Sequence, residues 1–246
     1  MTGNTPIRPF AYEFIRFYRK FVAMGASGYQ RINPIADYAP WTTDKQFLDT
    51  YHAIKPYTLV DIYRCYELWT LVEQSKNLKG SIIEIGVWRG GSGALIARRA
   101  ELCGIMGNTY LCDTFTGIVK ASSKDPLYKG GEHDDTSREL VETLIYDRLR
   151  LKNVKILQGI FPDETFKDVE KEVFRLCHID VDVYQSAKDI TEWIWSRMVI
   201  GGMIVYDDYG SFGCAGITSL VEEQKHNEDR LSLYNLNGHA VVIKIK

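Results

Sequence analysis

Two acidic runs carry the first chemistry in these 246 residues: His178-Ile179-Asp180-Val181-Asp182 and Tyr206-Asp207-Asp208-Tyr209-Gly210. Each follows an apolar, strand-like stretch, which places Asp180, Asp207 and Asp208 at the carboxyl ends of neighbouring strands, where open α/β sheets bind ligands. Three carboxylates that close repel one another and call for a cation. Oxygen donors select a hard ion, magnesium first, with calcium or manganese also fitting. A single Asp of this kind reads as a helix cap or a solvated loop acid; an Asp-x-Asp and an Asp-Asp after successive strands favour the metal. Such an ion would bind an acceptor hydroxyl and lower its pKa. The proton then needs an acceptor. Asp182, two residues past Asp180, ranks ahead of His133, which lies in Gly130-Gly131-Glu132-His133-Asp134-Asp135 on a segment able to cover the site. His178, inside a strand, reads as a satisfied core histidine.

A second constellation is Glu84-Ile85-Gly86-Val87-Trp88-Arg89-Gly90-Gly91-Ser92-Gly93. Glycines at the end of a first strand permit a tight turn and close approach by a ligand. The following helix presents its N-terminus, which suits a carboxylate or phosphate, and Ser92 could donate to that group. The spacing is neither the dinucleotide fingerprint nor a Walker loop. Asp113 ends the next strand, where a carboxylate can accept both ribose hydroxyls. Together these features point to a nucleoside pocket.

The elements that must position these residues alternate. Strands are expected at Ser81–Ile85, Thr109–Asp113, Val154–Gln158, Val173–Ile179 and Met203–Tyr206. Helices are expected at Gly93–Leu102, from a Thr136/Glu139 capping box to about Arg150, at Ser186–Met198 and at Ala215–His226. Leu231–Leu236 and His239–Lys246 flank Asn237-Gly238, a hairpin signal. Five parallel strands closed by an antiparallel hairpin form the pattern of the class I S-adenosylmethionine-dependent methyltransferase (Rossmann-like) fold, an α/β architecture with a mostly parallel seven-stranded sheet. Residues 1–80 hold five of the seven prolines and helical patterns at Tyr12–Met24 and Leu59–Lys76. They read as a helical N-terminal cap on a domain spanning 81–246.

Hydrophobic residues make up 45% and the net charge is −2, so nothing suggests broad attraction to nucleic acid or to an anionic membrane. Cys65, Cys103, Cys112, Cys177 and Cys214 are scattered and odd in number, which argues against a disulfide framework. Charges within Phe10–Met24 break any signal-peptide core, and no uncharged run could span a bilayer, so cytoplasmic residence is expected. Trp193 and Trp195 read as packing or subunit contacts.

The ordered motifs resemble the macrocin O-methyltransferase family of metal-dependent sugar O-methyltransferases. The resemblance rests on Gly86-Val-Trp-Arg-Gly-Gly91, Asp113-Thr-Phe-Thr-Gly117, Gln158-Gly-Ile-Phe161, Ile179-Asp-Val-Asp-Val-Tyr-Gln-Ser186 and Gly201-Gly-Met-Ile-Val-Tyr-Asp-Asp-Tyr-Gly210. It implies S-adenosylmethionine at Glu84, Gly86, Gly90, Gly91, Ser92, Asp113, Gln158 and Gly159. It also implies magnesium at Asp180, Asp207 and Asp208, beside the catalytic candidates Asp180, Asp182 and His133 read from the residues themselves, and an oligomer, with a monomer left open. The acceptor is expected to be a sugar hydroxyl of a glycosylated natural product or polysaccharide. The related catechol-type enzymes place a lysine where this chain has Val183, which disfavours a phenol. A small non-sugar acceptor, a non-catalytic nucleoside- or metal-binding subunit and a metal-dependent hydrolase are the alternatives. The hydrolase leaves Glu84–Ser92 and Asp113 unexplained.

Overall fold

A computed structural model describes residues 28–30, 32 and 36–246. The expected helix at Tyr12–Met24 lies outside the described residues. Seven strands form one sheet: β1 (Ser81–Ile85), β2 (Thr109–Asp113), β3 (Val154–Gln158), β4 (Phe174–Ile179), β5 (Met198–Tyr206), β6 (Arg230–Tyr234) and β7 (Ala240–Lys244). Their spatial order is β3-β2-β1-β4-β5-β7-β6. β1 to β5 run parallel, and β7 is antiparallel to both β5 and β6. This is the Rossmann-like arrangement expected for a class I methyltransferase. The chain reverses direction of travel across the sheet between β1 and β4, and ligands in such sheets bind outside that crevice.

Six α-helices complete the described chain: α1 (Lys45–Ile54), α2 (Ile62–Gln74), α3 (Gly91–Leu102), α4 (Arg138–Glu142), α5 (Tyr184–Trp195) and α6 (Ala215–Gln224). β1 and β4 are buried along their whole length because helices cover both faces, which is why most of their residues are apolar. One face packs Phe47 of α1 and Leu68 and Trp69 of α2 with Leu95 of α3 and Leu111 of β2. The other packs Ile83 and Cys177 against Ile190 of α5 and Ile217 of α6. Among the described residues no helix is long and apolar enough to cross a membrane. All five cysteines are free thiols.

Several boundaries differ from expectation, each for a local reason. α3 begins at Gly91, two residues early, because Gly90 at φ +88° already turns the chain into the helix. Ser137, not Thr136, caps α4 by accepting from Leu140 N, while the Thr136 hydroxyl donates to Trp88 O. The helix then widens into a π segment, Thr143–Arg148. β5 begins at Met198, which ends α5 at Trp195. The closing hairpin is longer than a two-residue turn: Asn235 N donates to His239 O, with Leu236 and Gly238 both at positive φ.

Candidate functional site

The strand ends feed one cavity of about 190 Å³. β1 supplies Gly86 and Val87, β2 supplies Asp113, β4 leads into Asp180 and Asp182, and β5 leads into Asp207 and Asp208. The N-terminus of α3 contributes Ser92, and no side chain caps that helix. Tyr57, Thr58 and Arg64, from the segment before β1, also line the cavity.

Asp113 organises the end of the cavity nearest β1 and β2. Its Oδ2 accepts from Val87 N and Trp88 N, both at 2.7 Å, and Oδ1 accepts from Phe115 N at 2.7 Å. Trp88 and Phe115 both carry positive φ, and these bonds hold them there. Burial raises the Asp113 pKa, and the backbone donors oppose it. Asp113 therefore shapes the turn as well as facing the cavity.

Among the residues expected at the cofactor, Gly86, Ser92, Asp113 and Gly159 line the cavity; Glu84, Gly90, Gly91 and Gln158 do not. Glu84 is wholly buried and turned under α3, where its Oε1 accepts from His178 Nδ1 at 2.8 Å. At Gly91 a Cβ would lie 2.6 Å from Tyr57 O, and at Gly90 it would lie 2.9 Å from Val141 Cγ1. The close approach these two glycines permit is thus made by the protein's own chain, not by a ligand. Gln158 is exposed on β3.

At the acidic end, the expected trio of Asp180, Asp207 and Asp208 is not gathered around one point. Asp208 groups with Asp182 and Cys214, and Asp207 with His178 and His239, the ligand atoms of each group lying within 4.8 Å of one another. Asp207 is drawn inward: its Oδ1 accepts from Asp208 N at 2.8 Å and from Arg64 Nη1. Burial would raise the Asp207 pKa, but the Arg64 guanidinium and the His239 and His178 rings outweigh it and hold it at about 2. Burial raises Asp180, and the charges of Asp207 and Asp208 raise it further. Burial and then Asp208 push Asp182 up in the same way. Tyr128 donates to Asp182 Oδ1 at 2.7 Å, and burial keeps that hydroxyl protonated. Asp182 and Asp208 sit at φ +62° and +59°, which aspartate tolerates better than most residues.

His133 lines the mouth on an exposed segment, at φ +64°. Trp88 Nε1 and the Arg89 guanidinium both bind Asp135 and tie that segment over the cavity. Sequence reasoning missed Arg64 and Tyr128. Arg64 precedes Leu68 by four and Leu71 by seven, the spacing of a buried helix face, and that spacing could have drawn it out.

The sequence profile of the macrocin-O-methyltransferase (TylF) family matches residues 42–241. The chain belongs to that family. The match crosses the boundary expected at residue 80, so the family's pattern includes α1 and α2. Relatives include a demethyldecarbamoylnovobiocin O-methyltransferase of Streptomyces niveus, 27% identical over 165 residues, 62% of each chain. Another is an 8-demethyl-8-(2,3-dimethoxy-alpha-L-rhamnosyl)-tetracenomycin-C 4'-O-methyltransferase of Streptomyces olivaceus, 26% identical over 169 residues, 64% of each chain. The chain thus spans somewhat less than two thirds of the length of these relatives. In fold it is similar to the O-methyltransferase NovP: the TM-score is 0.66 at 22% identity, covering 77% of this chain and 82% of that one.

Proposed function

We propose that this protein transfers a methyl group from S-adenosylmethionine to a sugar hydroxyl of a glycosylated natural product or polysaccharide, assisted by a divalent ion, magnesium first. The observation that carries the reading is Asp182. It is a carboxylate with raised pKa in the cavity wall, one oxygen held by Tyr128, beside Asp180 and Asp208 and in the same cavity as the turn that Asp113 clamps. Membership of the family and the rhamnosyl-bearing compound named for one relative support a sugar acceptor.

When bound, S-adenosylmethionine supplies an electrophilic methyl, and a divalent ion lowers the pKa of the acceptor hydroxyl. The donors fit such an ion: Asp180 and Asp208 offer hard oxygens, and burial together with the neighbouring acids makes the charge of Asp180 costly without a cation. Among the described residues Arg64 is the cation already at the cluster, and it is spread over Asp61, Asp207 and Asp208. Asp207 would join the ion by loosening its hold on Arg64. The uncapped N-terminus of α3 and Ser92 suit the cofactor's carboxylate, and Asp113 suits its ribose. Asp182 accepts the hydroxyl proton through the oxygen that Tyr128 leaves free. His133 and its loop close the mouth and keep water from the reacting atoms.

Calorimetric titration with S-adenosylhomocysteine, then with magnesium, tests the reading. Asp113→Ala should weaken the nucleoside heat first, and Asp207→Ala should remove metal-dependent turnover while sparing nucleoside binding. No nucleoside heat from folded protein would overturn the proposal.

A further inference from the structure

Beneath the cavity floor lie two buried histidines that the proposed methyl transfer does not use. His178, in β4, and His239, just before β7, are both 0% exposed. Each holds a carboxylate with its Nδ1: His178 donates to Glu84 Oε1 at 2.8 Å, and His239 donates to Glu67 Oε2 at 2.6 Å. A carboxylate partner accepts, so each Nδ1 carries the hydrogen, and Nε2 is the nitrogen that each ring can offer as a ligand. Both Nε2 atoms are buried without a hydrogen-bond partner. They converge with Asp207 Oδ1 into one group whose ligand atoms lie within 4.8 Å of one another, His239 Nε2 standing 3.5 Å from Asp207 Oδ1.

Two buried ring nitrogens without a hydrogen-bond partner, facing a carboxylate oxygen, are costly as they stand. A cation answers all three at once. Ligand atoms about 2.0–2.1 Å from a tetrahedral zinc stand about 3.4 Å apart, close to the spacing of His239 and Asp207. A carboxylate on the far nitrogen of each ligating histidine is the usual support of such a site, fixing tautomer and ring orientation.

We infer that His178 Nε2, His239 Nε2 and Asp207 Oδ1 form a second metal site, for zinc or a neighbouring first-row ion rather than magnesium. Imidazole donors select ions of that class. The ion would bind on the inner side of Asp207, the one member of the three that lines the cavity. Arg64 would give up Asp207 Oδ1 and keep Asp61 and Asp208. The three ligands come from adjacent strands β4, β5 and β7, so the ion would fasten the parallel part of the sheet to its antiparallel hairpin. The inference does not rest on methyl transfer, although Asp207 is common to both.

Cobalt(II) titration of the full-length protein, after chelator dialysis, is the test. We expect one equivalent bound with the visible d–d bands of a low-coordinate nitrogen–oxygen site, displaced by zinc but not by magnesium. His178→Gln and His239→Gln should abolish the bands, and Asp180→Asn should keep them. Glu67→Gln, which leaves every ligand in place and only loosens the orientation of His239, should weaken binding about 10–100-fold; it decides the matter if the histidine variants do not fold. S-adenosylhomocysteine binding, measured on the same samples, should survive both histidine changes, so its absence would count against the methyltransferase reading alone. No cobalt bands in folded wild-type protein, bands that survive both histidine changes, or bands lost in Asp180→Asn would overturn the site.

Discussion

Asp180 and Asp182 are carboxyl groups whose surroundings resist ionisation, and that resistance can be measured. Both are raised by burial and by neighbouring acids, so the folded chain holds protons there that the unfolded chain has released. The stability they provide is greatest at acid pH and is lost as pH rises through their folded pKa values. Asp207 acts in the opposite sense: held at about 2, it contributes stability above the ordinary carboxylate range that is lost as pH falls towards 2. Asp180→Asn should therefore raise the metal-free Tm at pH 8 by about 2–4 °C, the effect of about 1 kcal/mol in a chain of this size, and blunt any magnesium-induced rise. Thermal melts at pH 5.5 and 8 check this; an unchanged metal-free Tm would mean that the charge is already neutralised. Asp182→Asn should lower kcat by about 10²–10⁴-fold with little change in cofactor affinity, and the wild-type rate should climb with pH as Asp182 deprotonates. A steady-state pH profile of the two proteins reads both effects. At this scale the acids were readable because Asp-x-Asp and Asp-Asp follow apolar strands. Tyr128 was not, because it reaches Asp182 across more than 50 residues of chain, and for Arg64 the helical spacing marked a buried face but not the acids it meets.

At the level of elements, β1, β2 and β3 fall where the sequence places them, since apolar runs between Gly and polar breaks leave little freedom of register. Helix ends were less readable because distant residues set them. Asp125, wholly buried in the segment after β2, accepts from Tyr184 N and so opens α5 two residues earlier than its own sequence suggests. Glycine spacing misled in the same way. The turn after β1 looks like a ligand cradle, yet part of it serves helix packing. At Gly93 an added Cβ would stand 2.4 Å from Glu84 Oε2 and 2.5 Å from Leu111 Cδ2. Gly93→Ala should cost about 1–3 kcal/mol through overpacking, as denaturant unfolding would show, with α3 displaced from β1. The hairpin depends on one carboxylate: Glu67 accepts from Asn235 Nδ2, from Asn237 Nδ2 at 2.9 Å and from His239 Nδ1. Glu67→Ala should speed amide exchange in β6 and β7 well before it affects β1, a difference visible by hydrogen-exchange mass spectrometry.

The whole molecule ties the helices before β1 to the sheet that follows. Phe47, Ile54 and Trp69 share one core with Ala97 and Leu144, and the family match runs through them. The Tyr57 backbone meets Gly91, and Tyr57 and Thr58 wall the cavity. Removing residues 1–77 should therefore yield an insoluble or dye-binding product without nucleoside affinity. A soluble fragment that still binds S-adenosylhomocysteine would show that the cap is separable. The parallel run of the sheet and its antiparallel close were readable from the alternation of elements and the hairpin signal. The contribution of the early helices to the cavity was not, because no local pattern tells a helix covering a core from one that also lines a site.

Asp61, Arg64 and Glu67 step by three along the start of α2: the first caps the helix, the second steadies the acids, and the third holds the hairpin and His239. In a saturation survey of single substitutions, that stripe should be as intolerant as the Asp motifs themselves, although it lies outside the glycine-rich turn after β1. Natural variation in these three positions should then be concerted, since replacing one strands the others, and a homologue lacking Arg64 would be expected to have rebuilt the hairpin contact as well.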